Sequence, residues 1–369
     1  MLKKKRLAVL GATGSIGKSS IDIISRNNEM FDVVLLSAHS DRSGLEELSR
    51  QFPSAVTALT SGSDNLCEII NDIKPDITIN GISGAAGLKP SIAAINAGSR
   101  LALANKETIV MAGEYIIGLA KEKNVNIIPV DSEHSAVFNL IKNYTGSISE
   151  MILTASGGPF KNLSLHEMEK VTVEDALSHP TWKMGHKITI DSASMANKGL
   201  EIIEACHFFN MPSSKIKVVI HPQSIIHSMI RLCNGVIYAQ ASKPDMRHPI
   251  HDALFWPMVT PSSLEQLNFD NLTLDFKKPD TQKFPMLKMA WEAAEKGSLY
   301  PCAYNAANEM AAAAFLEQKI KFLDIPKITE HVLQSDWMGI HLDIDAVLKA
   351  DADARQIAAK VINSLKLNS

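Results

Sequence analysis

Cysteine is scarce in this chain. Cys67, Cys206, Cys233 and Cys302 are the four among 369 residues, and they form no Cys-x-x-Cys pair and no metal-ligand spacing. This excludes a disulfide framework and a cysteine zinc site, and it predicts reduced, mostly buried thiols. Long apolar runs are also missing. Nothing approaches the roughly 20 uninterrupted apolar residues of a membrane helix, so a soluble protein without a membrane partner is expected. There is no basic excess: 37 Lys and Arg against 40 Asp and Glu leave a net charge of −3, which argues against nucleic acid as a partner. The one basic cluster, Lys3 to Arg6, leads straight into a strand-like run, without the apolar core and cleavage site of a signal peptide. A cytoplasmic location is therefore expected. Internal repeats and low-complexity tracts are absent.

What is present is the composition of an ordinary globular enzyme, 46% hydrophobic and 21% charged, over a length that suits two or three domains. Residues 7–10 read as a strand, Gly11-Ala-Thr-Gly-Ser-Ile-Gly17 as a tight turn and residues 19–25 as a helix. In such an arrangement backbone N–H groups can meet a pyrophosphate at a helix N-terminus. The spacing G-x-x-G-x-x-G varies the usual dinucleotide fingerprint, and its place between strand and helix favours that reading over a plain turn. Further strands at residues 33–36, 56–59, 77–80, 100–103 and 125–130 alternate with helical stretches, which predicts a doubly wound parallel sheet. After the second strand, Ser37, His39, Ser40 and Arg42 favour NADP, while Asp41 counts against a 2′-phosphate. The small-residue turn from Gly81 to Gly87 suits close ligand approach or simply tight packing.

Residues 127–136, Ile-Ile-Pro-Val-Asp-Ser-Glu-His-Ser-Ala, join a short apolar run to a polar knot at a strand end, where open α/β sheets place their chemistry. In an extended conformation Asp131 and Glu133 point the same way and offer two carboxylates to Mg²⁺ or Mn²⁺. The competing reading is a helix cap by Asp131 or Ser132, with Glu133 near the positive end of the dipole. Ala104-Asn-Lys-Glu-Thr108 sets Lys106 at another strand end, either for a cofactor amide or anion, or within an ordinary cap.

A second region begins after Tyr144. Residues 150–154 read as a strand opening into Ser156-Gly-Gly-Pro-Phe160, whose serine and backbone donors suit phosphate. His179-Pro-Thr-Trp-Lys-Met-Gly-His186 lacks periodicity and carries large apolar groups, as in a lid or in a surface loop with a buried tryptophan. Residues 188–192 are expected to be a strand, followed by a helix on which Asn197 and Glu201 share a face flanked by Lys198. Strands at 217–220, 224–231 and 236–241 predict a partly antiparallel sheet, and Pro244-Asp-Met-Arg-His-Pro249 a shaped loop. Helical periodicity in 286–296, 303–318, 327–334 and 344–367 predicts a bundle, on which Asn305-Ala-Ala-Asn-Glu309 either places amides towards a neighbouring domain or forms an ordinary N-terminal helix face. The expected fold is α/β: a Rossmann-like doubly wound domain over 1–131, a central α/β catalytic domain with a mobile lid over 132–255, a linker over 256–281 and a C-terminal α-helical bundle over 282–369.

Together these signals converge on a nucleotide cofactor, a hard cation and several phosphate contacts. Asp131, Glu133 and Glu201 would make an all-carboxylate metal site, and Ser156, Ser192, Asn197 and Lys198 a phosphate pocket. Through these motifs, with Val130-Asp-Ser-Glu-His134 and His221-Pro-Gln-Ser-Ile-Ile-His-Ser-Met229, the whole chain resembles the 1-deoxy-D-xylulose 5-phosphate reductoisomerase family. The resemblance implies a homodimer that rearranges 1-deoxy-D-xylulose 5-phosphate and reduces the resulting aldehyde with NADPH to 2-C-methyl-D-erythritol 4-phosphate, in non-mevalonate isoprenoid precursor biosynthesis. It assigns the metal to Asp131, Glu133 and Glu201, and the phosphate to Ser156, Ser192, Asn197 and Lys198. Lys106, Ser132, Glu133 and His179 lie around the substrate, with Trp182 and Met184 in the lid. The cofactor contacts it implies are Thr13, Gly14, Ser15, Ile16, Asn105, Glu107 and Gly185. Two departures stand out: Ala38-His39-Ser40-Asp41 replaces a small Ala-Gly-x-Asn turn, and His186 stands where arginine is frequent. NADPH remains the expected cofactor, with His39 and Ser40 at its 2′-phosphate end and Arg42 as a compensating donor. A sugar-phosphate dehydrogenase that reduces without rearranging, and a non-enzymatic dinucleotide sensor, are the alternative readings.

Overall fold

The computed structural model describes residues 3–366 apart from 143, 145, 180, 183 and 340–342, so Pro180 and Lys183 of the expected lid and Leu367 of the last expected helix lie outside the described residues. The chain divides into two compact units: 1–108, 116–135 and 245–265 form one, and 109–115, 136–244 and 266–369 the other.

The chain through residue 141 follows the strand–helix alternation β1 (Lys5–Leu10), α1 (Ser15–Arg26), β2 (Phe31–Ala38), α2 (Arg42–Gln51), β3 (Val56–Leu59), α3 (Leu66–Ile73), β4 (Ile77–Asn80), α4 (Leu88–Asn96), β5 (Arg100–Leu103), α5 (Lys106–Glu122), β6 (Ile127–Pro129) and α6 (Ser132–Ile141), of which 109–115 in α5 and 136–141 in α6 are counted with the second unit. The six strands of the first unit lie in the order β3-β2-β1-β4-β5-β6, and every pairing is parallel. Leu7, Ala8, Val9 and Leu10 are all fully buried, the continuous apolar run of a strand covered on both faces. The order reverses between β1 and β4, so their carboxyl ends form the crevice of a doubly wound sheet. Gly11 makes that crevice tight. Its φ is +73°, and a Cβ there would stand 2.8 Å from the Gly81 carbonyl oxygen.

The second unit holds β7 (Ile148–Ala155), the short helices α7 (Leu165–Met168) and α8 (Val173–Leu177), then α9 (His186–Ser194), α10 (Ala196–Phe208), β8 (Ile216–Ile220), β9 (Ile226–Leu232) and β10 (Ile237–Ala241). The expected partly antiparallel sheet is present in the order β10-β9-β7-β8, with β7 parallel to β8 and antiparallel to β9. Helix α11 (Arg247–Phe255) belongs to the first unit, whereas α12 (Pro285–Lys296), α13 (Tyr300–Leu316), α14 (Asp324–Leu333) and α15 (Ile344–Lys366) belong to the second. In α13 Ala303, Ala306, Ala307, Ala311 and Ala312 are all fully buried, because small side chains let neighbouring helices approach closely. Among the described residues no helix is long and apolar enough to cross a membrane.

Three expectations are corrected. Residues 188–192 are helical, within α9, despite the β-branched Ile-Thr-Ile run. The Gly185 carbonyl accepts both the Thr189 N–H and the Thr189 hydroxyl, at 3.1 and 2.8 Å, and burial of Thr189 and Ile190 overrides local propensity. The loop expected through Pro249 becomes helix α11 from Arg247, since a proline in the first turn lacks only an N–H that would have no intrahelical partner. Among the cysteines only Cys302 is buried; Cys67 and Cys206 are half-buried and Cys233 is exposed.

Candidate active site

In the first unit, the turn after β1 leads into α1 at Gly14, which caps the helix with no side-chain hydrogen bond, and the first turn carries no acidic residue. Gly14 and Ser15 are exposed and Thr13 and Ile16 half-buried, so the amides and the positive end of the helix stand open to an anion. At the end of β2, Asp41 caps α2: its carboxylate accepts the Gly44 N–H at 2.9 Å and the Ser43 hydroxyl at 3.2 Å. The Gly44 N–H is the main reason its pKa lies below the ordinary carboxylate value. The charge that counted against NADP is therefore committed to a helix end. Ser40 and Arg42 are exposed beside it, and the His39 ring meets the Thr60 hydroxyl at 3.1 Å.

Asn105 is 1% exposed and organises the 81–87 turn. Its amide donates to the carbonyls of Ile82 and Gly84 at 2.8 Å each and to Glu107 at 3.0 Å, while its oxygen accepts the Thr108 N–H. Asn105 and Glu107 thus brace a loop at the sheet's carboxyl edge. One residue on, Lys106 is 5% exposed and its Nζ lies 2.9 Å from Asp131 Oδ2. Asp131 Oδ1 accepts the N–H groups of Glu133 and His134, each at 3.1 Å, and faces His134 Nδ1 at 2.9 Å. Asp131 is accordingly the cap of α6, and Glu133 lies on the first helical turn. The extended side-by-side geometry expected for these two carboxylates is overturned, because capping commits the backbone to helix one residue after Asp131. Ser132 donates its hydroxyl to Glu133 Oε2 at 2.5 Å.

In the second unit, β7 delivers Ser156, and α9 delivers Ser192, to one imidazole. His179 Nε2 lies 3.1 Å from Ser156 Oγ and 3.1 Å from Ser192 Oγ. Its Nδ1 accepts the N–H groups of Thr181 and Trp182 at 3.1 and 2.9 Å. With Nδ1 an acceptor, the proton of the neutral ring sits on Nε2 and points at the serines. Burial, followed by the charge of Lys161, lowers the His179 pKa and favours that neutral form. Gly158 closes the arrangement: at φ +66° it seats on α9 so tightly that a Cβ would stand 2.7 Å from the Ser192 carbonyl oxygen.

Met195 is buried and left-handed, with φ 64°, and serves as C-cap of α9 and N-cap of α10. This bend starts α10 at once with Asn197 and Lys198. Asn197 Nδ2 donates to Glu201 Oε1 at 2.6 Å, and Lys198 pairs with Glu201 Oε2. Lys198 is 4% exposed and Glu201 0% exposed, so the surface-face reading of this helix is set aside: a charged face buried this deeply is a built site. Trp182 and Met184 are half-buried and Gly185 exposed in the segment between α8 and α9. Sequence reasoning missed Met195 and, although it singled out the amides of Asn305-Ala-Ala-Asn-Glu309, it did not foresee Asp191 as the partner of Asn308, because neither leaves a short-range pattern.

The parallel sheet with its glycine turn defines a dinucleotide-binding α/β enzyme. Profiles described as 1-deoxy-D-xylulose 5-phosphate reductoisomerase match residues 7–61 and 40–113, its C-terminal domain matches 127–209, and the DXP reductoisomerase C-terminal domain matches 241–357. The reductoisomerase of Treponema denticola is 48% identical over 367 residues, 96% of each chain, and that of Pelodictyon phaeoclathratiforme 44% identical over 97% of this chain and 100% of its own. Among solved structures, the Zymomonas mobilis reductoisomerase in complex with NADPH has a TM-score of 0.89 at 40% identity, covering 98% of this chain and 100% of that one. A DOX-P reductoisomerase in complex with NADPH, fosmidomycin and magnesium has a TM-score of 0.91 at 37% identity, covering 98% and 99%. The chain belongs to the 1-deoxy-D-xylulose 5-phosphate reductoisomerase family.

Proposed function

We propose that this protein converts 1-deoxy-D-xylulose 5-phosphate into 2-C-methyl-D-erythritol 4-phosphate, by retro-aldol cleavage and re-addition followed by reduction with NADPH. The observation that carries the reading is full-length family membership by a chain that retains both the Asp131 cluster and the Ser156–His179–Ser192 anion contacts. The metal assignment is Asp131, Glu133 and Glu201. These are hard oxygen donors that fit Mg²⁺ or Mn²⁺, and Lys106, Ser132, Asn197 and Lys198 donate to them and orient them. When bound, the cation supplies Lewis-acid polarisation of the ketone and its neighbouring hydroxyl. The uncapped start of α1 and the exposed Gly14 and Ser15 fit a pyrophosphate, and NADPH supplies the hydride. Thr13, Gly14, Ser15, Ile16 and Gly185 line the cofactor, His39 and Ser40 with Arg42 receive its 2′-phosphate, and Asn105 and Glu107 hold the adjoining loop.

The remaining work falls to the chain. His179 Nε2–H, Ser156, Ser192, Asn197 and Lys198 anchor the substrate phosphate, the end that does not react, so remote binding energy orients the reacting carbons. Lys106 and Ser132 contact the substrate's oxygens beside Asp131 and Glu133. Trp182 and Met184 close over it, exclude water and keep the cleaved fragments together. Residues 256–281 serve as the linker that leads into the helical bundle of 282–369. The protein acts as a cytoplasmic homodimer: β10 pairs with β9 on one side and leaves Ile237 and Tyr238 about two-fifths exposed, at 42% and 39%, an apolar sheet edge suited to a second copy. The test is NADPH oxidation with the ketose phosphate and each divalent cation in turn. Turnover that requires Mg²⁺ or Mn²⁺ and prefers NADPH over NADH by about tenfold or more supports the reading. No turnover with any divalent cation refutes it.

A further inference from the structure

Asp191 has no role in the chemistry above, yet it is 1% exposed and both of its oxygens are held. Oδ1 accepts Asn308 Nδ2 from α13 at 2.8 Å, and Oδ2 meets Lys187 Nζ at 2.6 Å. Asn308 is 0% exposed, and its own amide oxygen has no hydrogen-bond partner among the described residues. Turning the amide over would set oxygen against carboxylate, so the group is committed to donating to Asp191. A leucine of similar size would fill the same space without a half-satisfied amide, so packing alone does not account for Asn308. The residue after Asp191 is Ser192, whose hydroxyl meets His179 and whose carbonyl carries Gly158. Lys187 lies on the first turn of α9, just after Gly185 and the proposed lid.

We infer that Asp191, gripped by Asn308 and Lys187, is a positioning residue for the phosphate site: it fixes the rotation of α9, so that Ser192 faces His179, and ties that rotation to the helical bundle. Successive helical residues differ by about 100° around the axis, so even a modest roll of α9 turns the Ser192 hydroxyl away from the imidazole. The inference rests on the proposed role of Ser192 in holding the substrate phosphate.

The test uses the full chain and the variants Asn308→Ala and Lys187→Met. Calorimetry measures binding of inorganic phosphate and of NADPH, and steady-state assays give kcat and KM. Asn308→Ala is expected to raise the phosphate Kd and the KM for the ketose phosphate by about tenfold, and Lys187→Met by about threefold, with NADPH binding unchanged and kcat within about twofold. In a Ser192→Ala background, Asn308→Ala should weaken phosphate binding no further, because the two act through one contact. An unchanged phosphate Kd in a folded variant, or full additivity with Ser192→Ala, overturns the inference. If Asn308→Ala does not fold, Lys187→Met on the accessible side decides by the same two readings. If the wild type binds phosphate but does not turn over the ketose phosphate, the proposed activity falls while the phosphate titrations still judge the role of Asp191.

Discussion

Asp131 meets two readings that the sequence presents as rivals: it caps α6, and in the proposed function it also holds the metal. One carboxylate oxygen satisfies the N–H groups of Glu133 and His134 at the start of α6, and the other meets the buried Lys106 amine. A cap at the carboxyl edge of a parallel sheet is already a place where ligand oxygens and backbone donors converge, so capping and catalysis use the same geometry. Pairing also limits what can be removed here. Loss of Lys106 would leave Asp131 beside an incomplete set of partners in a largely buried position, a change that costs about 3–5 kcal/mol in comparable pairs. Glu133 is the cleaner probe, because Glu133→Gln keeps shape and removes charge. Its expected effect is a loss of about 100-fold in metal-dependent kcat/KM, with NADPH affinity and melting temperature little changed. Near-normal turnover in that variant would leave Glu133 as a first-turn helix residue and nothing more.

At the scale of elements, what was legible followed from hydrophobic period and glycine position. The buried run at Leu7 to Leu10, the Gly11 turn and the α1 pattern predict each other, and six parallel strands stand where apolar runs stand in the chain. Asn197, Lys198 and Glu201 were readable as one helical cluster because i, i+3 and i+4 spacing is local. The region from Ile188 to Ser192 was not readable. Its β-branched residues favour strand, and only the Gly185 carbonyl, the left-handed Met195 and burial by distant helices make it α9. The same limit hid α11 and the Asn308 contact, since both depend on partners far away in sequence. The loop ahead of α9 follows from this arrangement: it begins at His179, whose Nδ1 holds two backbone N–H groups, and ends at the Gly185 cap. Trp182→Ala should therefore lower kcat/KM for the ketose phosphate by about tenfold while sparing NADPH binding, as seen in paired kinetic and binding titrations. Equal activity of the two proteins would remove Trp182 from the lid.

For the molecule as a whole, three imidazoles withdrawn from solvent make stability fall on mild acidification. Burial lowers the pKa of His179, His207 and His251, with Lys161 adding to the effect at His179 and Glu114 opposing it at His207. The unfolded chain, with imidazoles near about 6.5, then binds more protons than the fold at pH values below that point. Stability from these groups is present above about pH 6.5 and declines as pH falls through the window down to the lowered folded values. Urea midpoints should accordingly be lower at pH 5.5 than at pH 7.5, with a shallower decline in His207→Phe; a midpoint that rises on acidification contradicts the assignment. Rearrangement changes the carbon connectivity of the substrate. The substrate is a β-hydroxy ketone, so retro-aldol cleavage breaks its C3–C4 bond and re-addition joins C4 to C2. The direct measurement is the carbon-13 spectrum of product made by the wild-type protein with NADPH and Mg²⁺ from substrate labelled at C2 and C4. A new one-bond coupling between the labelled carbons is the predicted result. NADPH oxidation that yields a product without that coupling would mean reduction without rearrangement, and would contradict the account.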